Sequence, residues 1–389
     1  MAKSAAHPGA MPPPRPALRR AVPVVPVGTP HTPGRRELAW MAGADRSLAH
    51  AASQVRIIAA STPLNFRTEL TRLGGAWERG KPEPPRFVYP PPADHRSLIA
   101  ALGELADALE GEGAMGRLYA GRARELADEA TVASSVGTSG FWPAARRRFA
   151  PRDQFDAAAD ALSARWLDGG PHEAGPESSE TIRSDDDRDP RSLVSRIRQE
   201  LGARRLPLRV VISRDLASLA ATGDGAVQVV ADRPLTRRDV ERTVLHEIEG
   251  HVLPRLAATT VPLALFALGT ARGSDDQEGR ALALERAAGF LDSGRRRELA
   301  LRHVAARSVE RGEDFLATAA RLAAHEERPS ELLRIACRAH RGGGLAREAV
   351  YLPALLRTEA ASEDGGVEAM MRLGRVAVDA APVLHAWMN

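Results

Sequence analysis

Two histidines stand five residues apart in a segment that predicts a helix, and this spacing is the strongest constraint on how the chain folds. The segment reads LTRRDVERTVLHEIEGHVL. Its apolar face is marked by Val240, Val244 and Ile248. On a regular helix of about 100° per residue, His246 and His251 point roughly 140° apart. A one-residue π-bulge would bring both rings to one face, and Gly250 lowers the cost of that distortion. The segment is therefore either a bulged helix with paired histidines or a charged helix with two unrelated ones.

Acidic residues near these histidines favour a divalent metal site. Imidazole and carboxylate groups are common zinc ligands, and three of them leave one position open for water. The segment DDQEGRALALERA offers a further acid, because Glu278 and Glu285 are predicted on one face of the next helix. The alternative interpretation of both acids is surface charge near the start of a helix, where acids are favoured.

The composition is that of a soluble globular protein that folds without disulfides. The chain has 389 residues, of which 43% are hydrophobic and 27% charged, and Cys337 is its single cysteine. One cysteine excludes a disulfide scaffold and a cysteine-based zinc site, and it suits a reducing compartment. We therefore expect a cytoplasmic protein. No segment reaches 18 apolar residues without a charge, so we expect no membrane span.

The charge balance argues against nucleic acid as a partner. The net charge of +4 is too small for the basic surface that binds the phosphate backbone. Aromatic residues make up 4% of the chain, which is too few for a surface on which bases stack. Lys3 and Lys81 are the two lysines among 54 basic residues, so nearly all of these are arginines. This bias is typical of a GC-rich bacterial genome.

Changes in composition divide the sequence into four segments. Residues 1–36 are a disordered Pro-rich tail without the uninterrupted apolar stretch of a signal peptide. Residues 37–169 predict an N-terminal helical region. Residues 170–190 are an acidic linker or loop, and residues 191–389 carry the histidine motif.

The periodicity of apolar residues predicts an α+β fold that is mostly helical, with a small β-sheet. One helical stripe comprises Leu98, Leu102, Leu105 and Leu109. The stretches 206–213 and 225–231 are β-branched and bounded by turn residues, which is typical of strands, and ATGDG between them predicts a turn. Thr236, with Asp239 three residues later, predicts the start of the histidine-bearing helix.

Several segments, which follow one another along the chain in the family's order, resemble the QEGLA-motif family. Its animal members are tyrosine carboxypeptidases that remove the last tyrosine of α-tubulin. HEIEGH and QEGRA are similar to the family's HEIGTH and QEGLA. TPLNFRTEL at 62–70, the segment 118–151 and RGGGLAREAVYLPALL at 341–356 resemble further family segments. The similarity covers roughly residues 45–165 and 195–375.

The resemblance implies a zincin-like metallopeptidase region with an HExxxH motif in residues 191–389. It implies that His246, His251 and Glu278 bind Zn²⁺ and that Glu247 is the catalytic glutamate, acting as general base. The expected activity is that of a carboxypeptidase, whose partner is the C-terminus of a peptide or protein. The arginine bias argues against tubulin as the natural substrate, and the sequence leaves the oligomeric state open.

The resemblance also indicates residues near the family's cleft. Arg341 and Tyr351 match an arginine and a tyrosine there, and Arg347 stands where a lysine is usual. Arg341, Arg347 and Arg338 are candidates for binding the substrate's carboxylate, because a guanidinium group binds it in bidentate fashion. Tyr351 is a candidate for stabilising the oxyanion that develops during catalysis.

Three positions depart from the family pattern, and two further functions stay open. Glu249 replaces a glycine, Gly250 a threonine and Arg280 the leucine of QEGLA. The first alternative is a non-hydrolytic metal-binding regulatory protein of the same family, because bacterial relatives are named as modulators of flavohaemoglobin expression. The second is a helical interaction protein without a metal.

Overall fold

The computed structural model describes most of the chain, namely residues 34–151, 153–168, 180–214, 216, 218–223, 225–326 and 328–388. Residues 1–33 of the predicted tail and 170–179 of the predicted acidic linker lie outside these ranges. Where the structure is described, helices dominate and the strands are short. This confirms the expected mostly helical α+β architecture with a small sheet.

The described residues before position 169 form helices, as their periodicity predicts. These helices are α1 (Arg35–Gln54), α2 (Ile57–Ser61), α3 (Phe66–Glu78), α4 (Arg96–Leu109), α5 (Gly113–Ser134), α6 (Phe141–Phe149) and α7 (Gln154–Asp168). On α4 the predicted stripe is the inward face. Leu102 and Leu109 are buried, and Leu98 and Leu105 pack against the same apolar cluster.

A three-stranded sheet forms where the strand-like stretches were predicted. A separate two-stranded ribbon is formed by one strand before these stretches and one strand after them. The strands are β1 (Ile182–Arg183), β2 (Arg209–Ser213), β3 (Ala220–Gly223), β4 (Ala226–Val230) and β5 (Pro234–Leu235). In the larger sheet β4 lies centrally, parallel to β2 and antiparallel to β3. The ribbon pairs β1 with β5 in antiparallel fashion, with Ile182 opposite Leu235.

The prediction of a turn for the whole of ATGDG was wrong. Its first three residues belong to β3, where they pair with β4, and the register places Gly223 opposite Ala226. Thr222 favours a strand by its own propensity, whereas the two alanines and the glycine of β3 do not, so cross-strand pairing with β4 decides their conformation.

The remaining helices surround the histidine-bearing segment. They are α8 (Leu193–Ala203), α9 (Arg237–Leu245), α10 (Leu253–Ala257), α11 (Leu265–Leu268), α12 (Gly273–Ala287), α13 (Ser293–Glu310), α14 (Phe315–Ala323), α15 (Pro329–His340), α16 (Tyr351–Ala361), α17 (Gly365–Arg372) and α18 (Ala381–Met388). A π-helical turn, His246–Val252, joins α9 to α10. Across the described ranges, none of the helices combines the length and apolarity needed to cross a bilayer.

Buried apolar clusters connect the N-terminal helices to the later ones. Phe66 and Leu73 of α3 belong to the same cluster as Leu301 of α13.

A second cluster contains Val227 of the sheet together with Ile248 of the π turn. The π turn therefore rests on the small sheet, and this contact places it beside β3.

The turn after α15 requires a glycine. Gly342 has a φ of 74°, in the left-handed region, and a Cβ added there would lie 2.3 Å from Cζ of Phe141. Its amide donates a hydrogen bond of 2.6 Å to the hydroxyl of Tyr89. The turn thus fits tightly against α6 and the extended segment that precedes α4.

We predict that Gly342→Ala lowers the free energy of unfolding by about 1–3 kcal/mol, because the added methyl group is both strained and overpacked. Gly103→Ala on α4 is the matched control, since a Cβ there would meet no atom within 4 Å. It should raise stability by about 0.5–1 kcal/mol, because alanine is the better helix former. Urea unfolding measures both, and an undiminished stability of Gly342→Ala would contradict the steric argument.

Candidate metal centre

The helix that carries the two histidines changes its hydrogen-bonding pattern at the first of them. Thr236 caps α9, because its hydroxyl accepts from the amide of Asp239, whose carboxylate accepts from the amide of Thr236. The chain is α-helical to Leu245 and π-helical from His246 to Val252. A π turn is wider than an α turn, so residues five apart face the same side. The predicted helix start is present, and of the two alternatives for the histidines the structure has the bulged helix.

Gly250 allows the π turn to approach the next helix closely. A Cβ at this position would lie 2.7 Å from Cβ of Ala281 on α12. That distance is shorter than a carbon–carbon contact allows, so only glycine fits without a shift of the helices. Because α12 lies this close, Glu278 on the same helix comes within reach of both histidines.

Three side chains converge between the π turn and α12. Nε2 of His246 lies 3.2 Å from Nε2 of His251 and 3.5 Å from Oε2 of Glu278. Nε2 of His251 lies 3.9 Å from the same carboxylate oxygen. One ligand atom from each residue lies within 4.8 Å of the other two, at half-buried positions. Two imidazoles and one carboxylate at these distances form a triad that can hold a metal ion.

The outer nitrogen of each imidazole has its own oxygen partner. Nδ1 of His246 lies 2.7 Å from Oε1 of Glu285, and Nδ1 of His251 lies 3.2 Å from Oε1 of Gln277. These oxygens accept hydrogen bonds, so Nδ1 carries the proton in both rings. Each Nε2 can then present its lone pair to an ion, which is the tautomer that metal ligation needs. This donor set fits a divalent metal ion of the borderline-soft kind.

Glu285 does not belong to this triad. It contacts Nδ1 of His246 and so holds the imidazole ring from the other side. Arg295 donates to its carboxylate from Nε at 2.9 Å and from Nη2 at 3.1 Å. Arg295 also donates from Nη1 to Glu298 at 2.8 Å. The bidentate pair fixes the Glu285 carboxylate, whose side chain is 1% exposed. Sequence analysis placed Glu285 on the face of Glu278 but gave no signal for Arg295.

The charges of the site shift the pKa values of its members. Burial lowers the pKa of His246, but hydrogen bonds with Glu278 and Glu285 outweigh burial and raise it to about 10. Burial raises the pKa of Glu278, whereas its hydrogen bond with His246 and the charges of His251 and Arg347 hold it well below its usual range. In the metal-free protein at neutral pH, His246 is therefore protonated beside ionised carboxylates. A metal ion must displace that proton in order to bind.

Glu247, the predicted catalytic glutamate, contacts the small sheet. Thr222 of β3 donates from Oγ1 to Oε2 of Glu247 at 2.7 Å. Glu247 is buried, and Oε1 accepts no hydrogen bond from the described part of the chain. The sequence gives no signal for Thr222, because it lies in ATGDG, which predicts a turn rather than a strand.

Arg347 and Tyr351 lie beside the carboxylate of the triad. Nη2 of Arg347 donates to Oε1 of Glu278 at 3.3 Å, and its Nη1 donates to the hydroxyl of Tyr351 at 3.1 Å. Arg347 lies in a short 3₁₀ turn and Tyr351 begins α16. Two of the predicted cleft residues therefore lie next to the candidate metal ligands, and their roles stay predictions.

Arg338 and Arg341 surround a buried acid that sequence analysis missed. Glu348 accepts hydrogen bonds of 2.5 and 2.8 Å from Arg302, and of 3.0 Å from Arg338. Nη2 of Arg341 lies 4.0 Å from Glu348, and its Nε is buried without a hydrogen-bond partner among the residues the structure describes. Arg338 is thus engaged by Glu348, whereas the Nε–H of Arg341 has no acceptor among the described residues. Glu348 follows no motif or period that distinguishes it from other acids.

Comparison with known proteins agrees with the resemblance found in the sequence. The model of a family described as MATCAP, microtubule-associated tyrosine carboxypeptidase, matches residues 77–389. The match includes the π turn, α12 and the arginine-rich segment before α16. A comparison with curated proteins finds no matching relative.

We predict that one proton leaves the site for each divalent ion bound, because His246 is protonated before the ion arrives. Affinity should therefore rise about tenfold for each pH unit between roughly pH 7 and 9, below the pKa of about 10 of His246. Calorimetric titration in buffers of different ionisation enthalpy counts the protons. Binding without proton release would contradict this assignment.

Glu285→Gln should weaken metal binding about 10–100-fold, because it removes the charged acceptor of His246. Glu359→Gln is the matched control, since Glu359 also pairs with an arginine but lies on α16, at 2.6 Å from Arg286. The same titrations apply to both variants. Equal losses in the two variants would refute a specific role of Glu285.

Proposed function

Because the chain belongs to the family of microtubule-associated tyrosine carboxypeptidases, we propose that it is a zinc-dependent peptidase of zincin-like fold. In this proposal it removes a C-terminal residue from a peptide or protein. The observation that carries the proposal is the convergence of His246, His251 and Glu278 within 4.8 Å, in a region that the family model covers.

His246 and His251 would hold the zinc ion through their Nε2 atoms, and Glu278 would hold it through its carboxylate. A bound zinc ion supplies Lewis-acid chemistry, since it polarises a carbonyl group and makes water more acidic. Glu285 and Gln277 keep the two imidazoles in the ligating tautomer. The protein's contribution is therefore a set of side chains that is already in position, from which one proton must leave when the ion binds.

Glu247 would act as the general base. Its Oε2 is engaged by the hydroxyl of Thr222 at 2.7 Å, which leaves Oε1 to accept a proton from the attacking water. The same oxygen can deliver that proton to the amine of the departing residue. The hydrogen bond from β3 fixes the carboxylate, so the proton is taken and returned at one place.

Tyr351 would donate a hydrogen bond to the oxyanion that develops on the scissile carbonyl. Its hydroxyl oxygen already accepts from Nη1 of Arg347 at 3.1 Å, so its own proton is directed elsewhere and is available. Arg302 lies over the ring, with Cζ 4.4 Å from its centroid, and limits the ring's movement. These contacts support a fixed position of Tyr351 beside Glu278.

A carboxypeptidase must hold the free carboxylate of its substrate, and Arg341 is the best-supported group for this task. Its buried Nε has no partner among the described residues, and a buried guanidinium donor without an acceptor is costly. Burial, together with neighbouring arginines, lowers the pKa of Arg341 to about 10. A substrate carboxylate would supply the missing acceptor and restore favourable charge pairing.

We predict that Glu247→Gln lowers kcat by about 10²–10⁴-fold while zinc stays bound, because the amide cannot accept the proton. The measurement is release of the last residue from peptides varied at their final two positions, read by mass spectrometry. Peptides ending in tyrosine come first, since the family description names that residue. Metal content is determined on the same preparation.

The matched control is Glu241→Gln, an acid on the preceding helix that pairs with Arg237 near the surface at 2.9 Å. It should retain both zinc and turnover. Full activity of Glu247→Gln would remove this residue from the reaction. Zinc binding by the native chain without cleavage of any peptide would instead support the non-hydrolytic regulatory alternative.

We predict that Arg341→Met raises KM about tenfold or more for peptides with a free C-terminal carboxylate, because it removes a charged hydrogen bond. Peptides with an amidated C-terminus should be poor substrates for both the native protein and the variant. Arg334→Met on α15, the helix that ends just before Arg341, is the control, since Arg334 pairs with Glu331 at 2.6 Å. Equal cleavage of free and amidated peptides would contradict carboxypeptidase activity.

A further inference from the structure

The π turn leaves one of its carbonyl groups without either of its usual helical donors. The amide of Leu253 donates to the carbonyl of Ile248, five residues back, whereas on an α-helix it would donate to Glu249. The next residue along the chain is Pro254, which has no amide hydrogen. Neither of the two usual helical donors is therefore available to the carbonyl oxygen of Glu249.

A side chain from α12 takes the place of the missing amide. Nη1 of Arg280 donates to the carbonyl oxygen of Glu249 at 3.0 Å. Arg280 is buried, and its Nε donates to Glu368 of α17 at 3.2 Å, which holds the guanidinium group in place. A carbonyl group that is buried without a hydrogen-bond donor destabilises the conformation that leaves it unpaired. The bond from Arg280 removes this penalty and so favours the wide turn.

From these contacts we propose that Arg280 is a positioning residue for the metal site. It supplies the hydrogen bond that Pro254 cannot supply, and it thereby maintains the turn that brings Nε2 of His246 within 3.2 Å of Nε2 of His251. This inference rests on the proposed metal site and concerns how its geometry is maintained. Arg280 itself does not act on the substrate.

The position of Arg280 in the sequence gives this bond a second effect. Arg280 lies on α12 shortly after Glu278, so the helix that bears the carboxylate is tied to the turn that bears the imidazoles. The contact of Gly250 with Ala281 brings the same two elements together without any polar link. Arg280 therefore adds a bond to the turn's backbone to the links that Gln277 and Glu285 of the same helix make with the two imidazole rings.

Arg204 provides a matched comparison, because it contacts the same glutamate in a different way. Its Nη1 donates to Oε1 of the Glu249 side chain at 2.6 Å, and its own side chain is 39% exposed. It makes an ion pair near the surface and offers nothing to the turn's backbone. An exposed pair of this kind contributes little to stability.

The test compares Arg280→Met, Arg280→Lys and Arg204→Met by competition for zinc with a chromogenic chelator and by thermal unfolding of the metal-free protein. Arg280→Met should weaken zinc binding about 10–100-fold, the usual effect of losing an outer support. Arg280→Lys should recover much of this loss, because its ammonium group can donate to the same carbonyl. Arg204→Met should stay within roughly threefold of the native affinity.

Pro254→Ala gives the sharper test, since it introduces an amide hydrogen at the position where the proline lacks one. In this background, Arg280→Met should cost clearly less zinc affinity than it costs alone. Absence of such coupling would overturn the assignment of Arg280 as the replacement donor. Should Arg280→Met fail to fold, the double variant decides, because the added amide is expected to restore folding.

The outcomes for this inference and for the proposed function are distinct. If the native protein binds zinc and Arg280→Met binds it with equal affinity, the role of Arg280 is refuted while the metal site stands. Native protein that binds no zinc overturns the proposed function itself. A loss in Arg204→Met as large as that in Arg280→Met would point to the Glu249 side chain and also refute the inference.

Discussion

The close contact between the π turn and α12 is the constraint on which the candidate site depends. At Gly250 the two elements approach so closely that an added Cβ would lie 2.7 Å from Cβ of Ala281. A side chain there would push α12 away and carry Glu278 with it. The triad thus depends on a glycine, which has no side-chain functional group, because the close packing of the two backbones brings the three side chains together.

Buried ion pairs fix the start of α12, which is the helix that carries the acidic member of the candidate triad. Asp275 pairs with Arg148 of α6 at 3.0 Å, and Asp276 pairs with Arg357 of α16 at 2.5 Å. Breaking a buried pair strands a charge, so each pair strongly disfavours other positions of the helix. The planar, permanently charged guanidinium suits such pairs better than an ammonium group does. The predominance of arginine over lysine thus has a structural use near the site.

Much of the site could be predicted because its determinants are local. The cap at Thr236, the widened turn and the ligand spacing all follow from residues close together in sequence, and the family match confirms the resemblance. The supports could not be predicted, because they arise only when distant segments meet. Thr222 lies on a strand whose formation depends on pairing with β4, and Glu348 is one acid among 50 acidic residues until the fold buries it. Sequence reasoning also grouped Arg338 with Arg341, although only the fold reveals that Glu348 engages the former.

The supports of His246 and the surroundings of Tyr351 belong to one buried array of alternating charges. Glu285 bonds to Arg295, which bonds to Glu298, and Arg302 lies 3.8 Å from Glu298 while bonding to Glu348. Charges that share partners in a low-dielectric interior do not contribute independently to the free energy. Under the proposed function, a substitution near Tyr351 that changes substrate binding would therefore also shift the support of His246 at the opposite end of the array. Substrate preference and metal affinity would then change together rather than as separate traits.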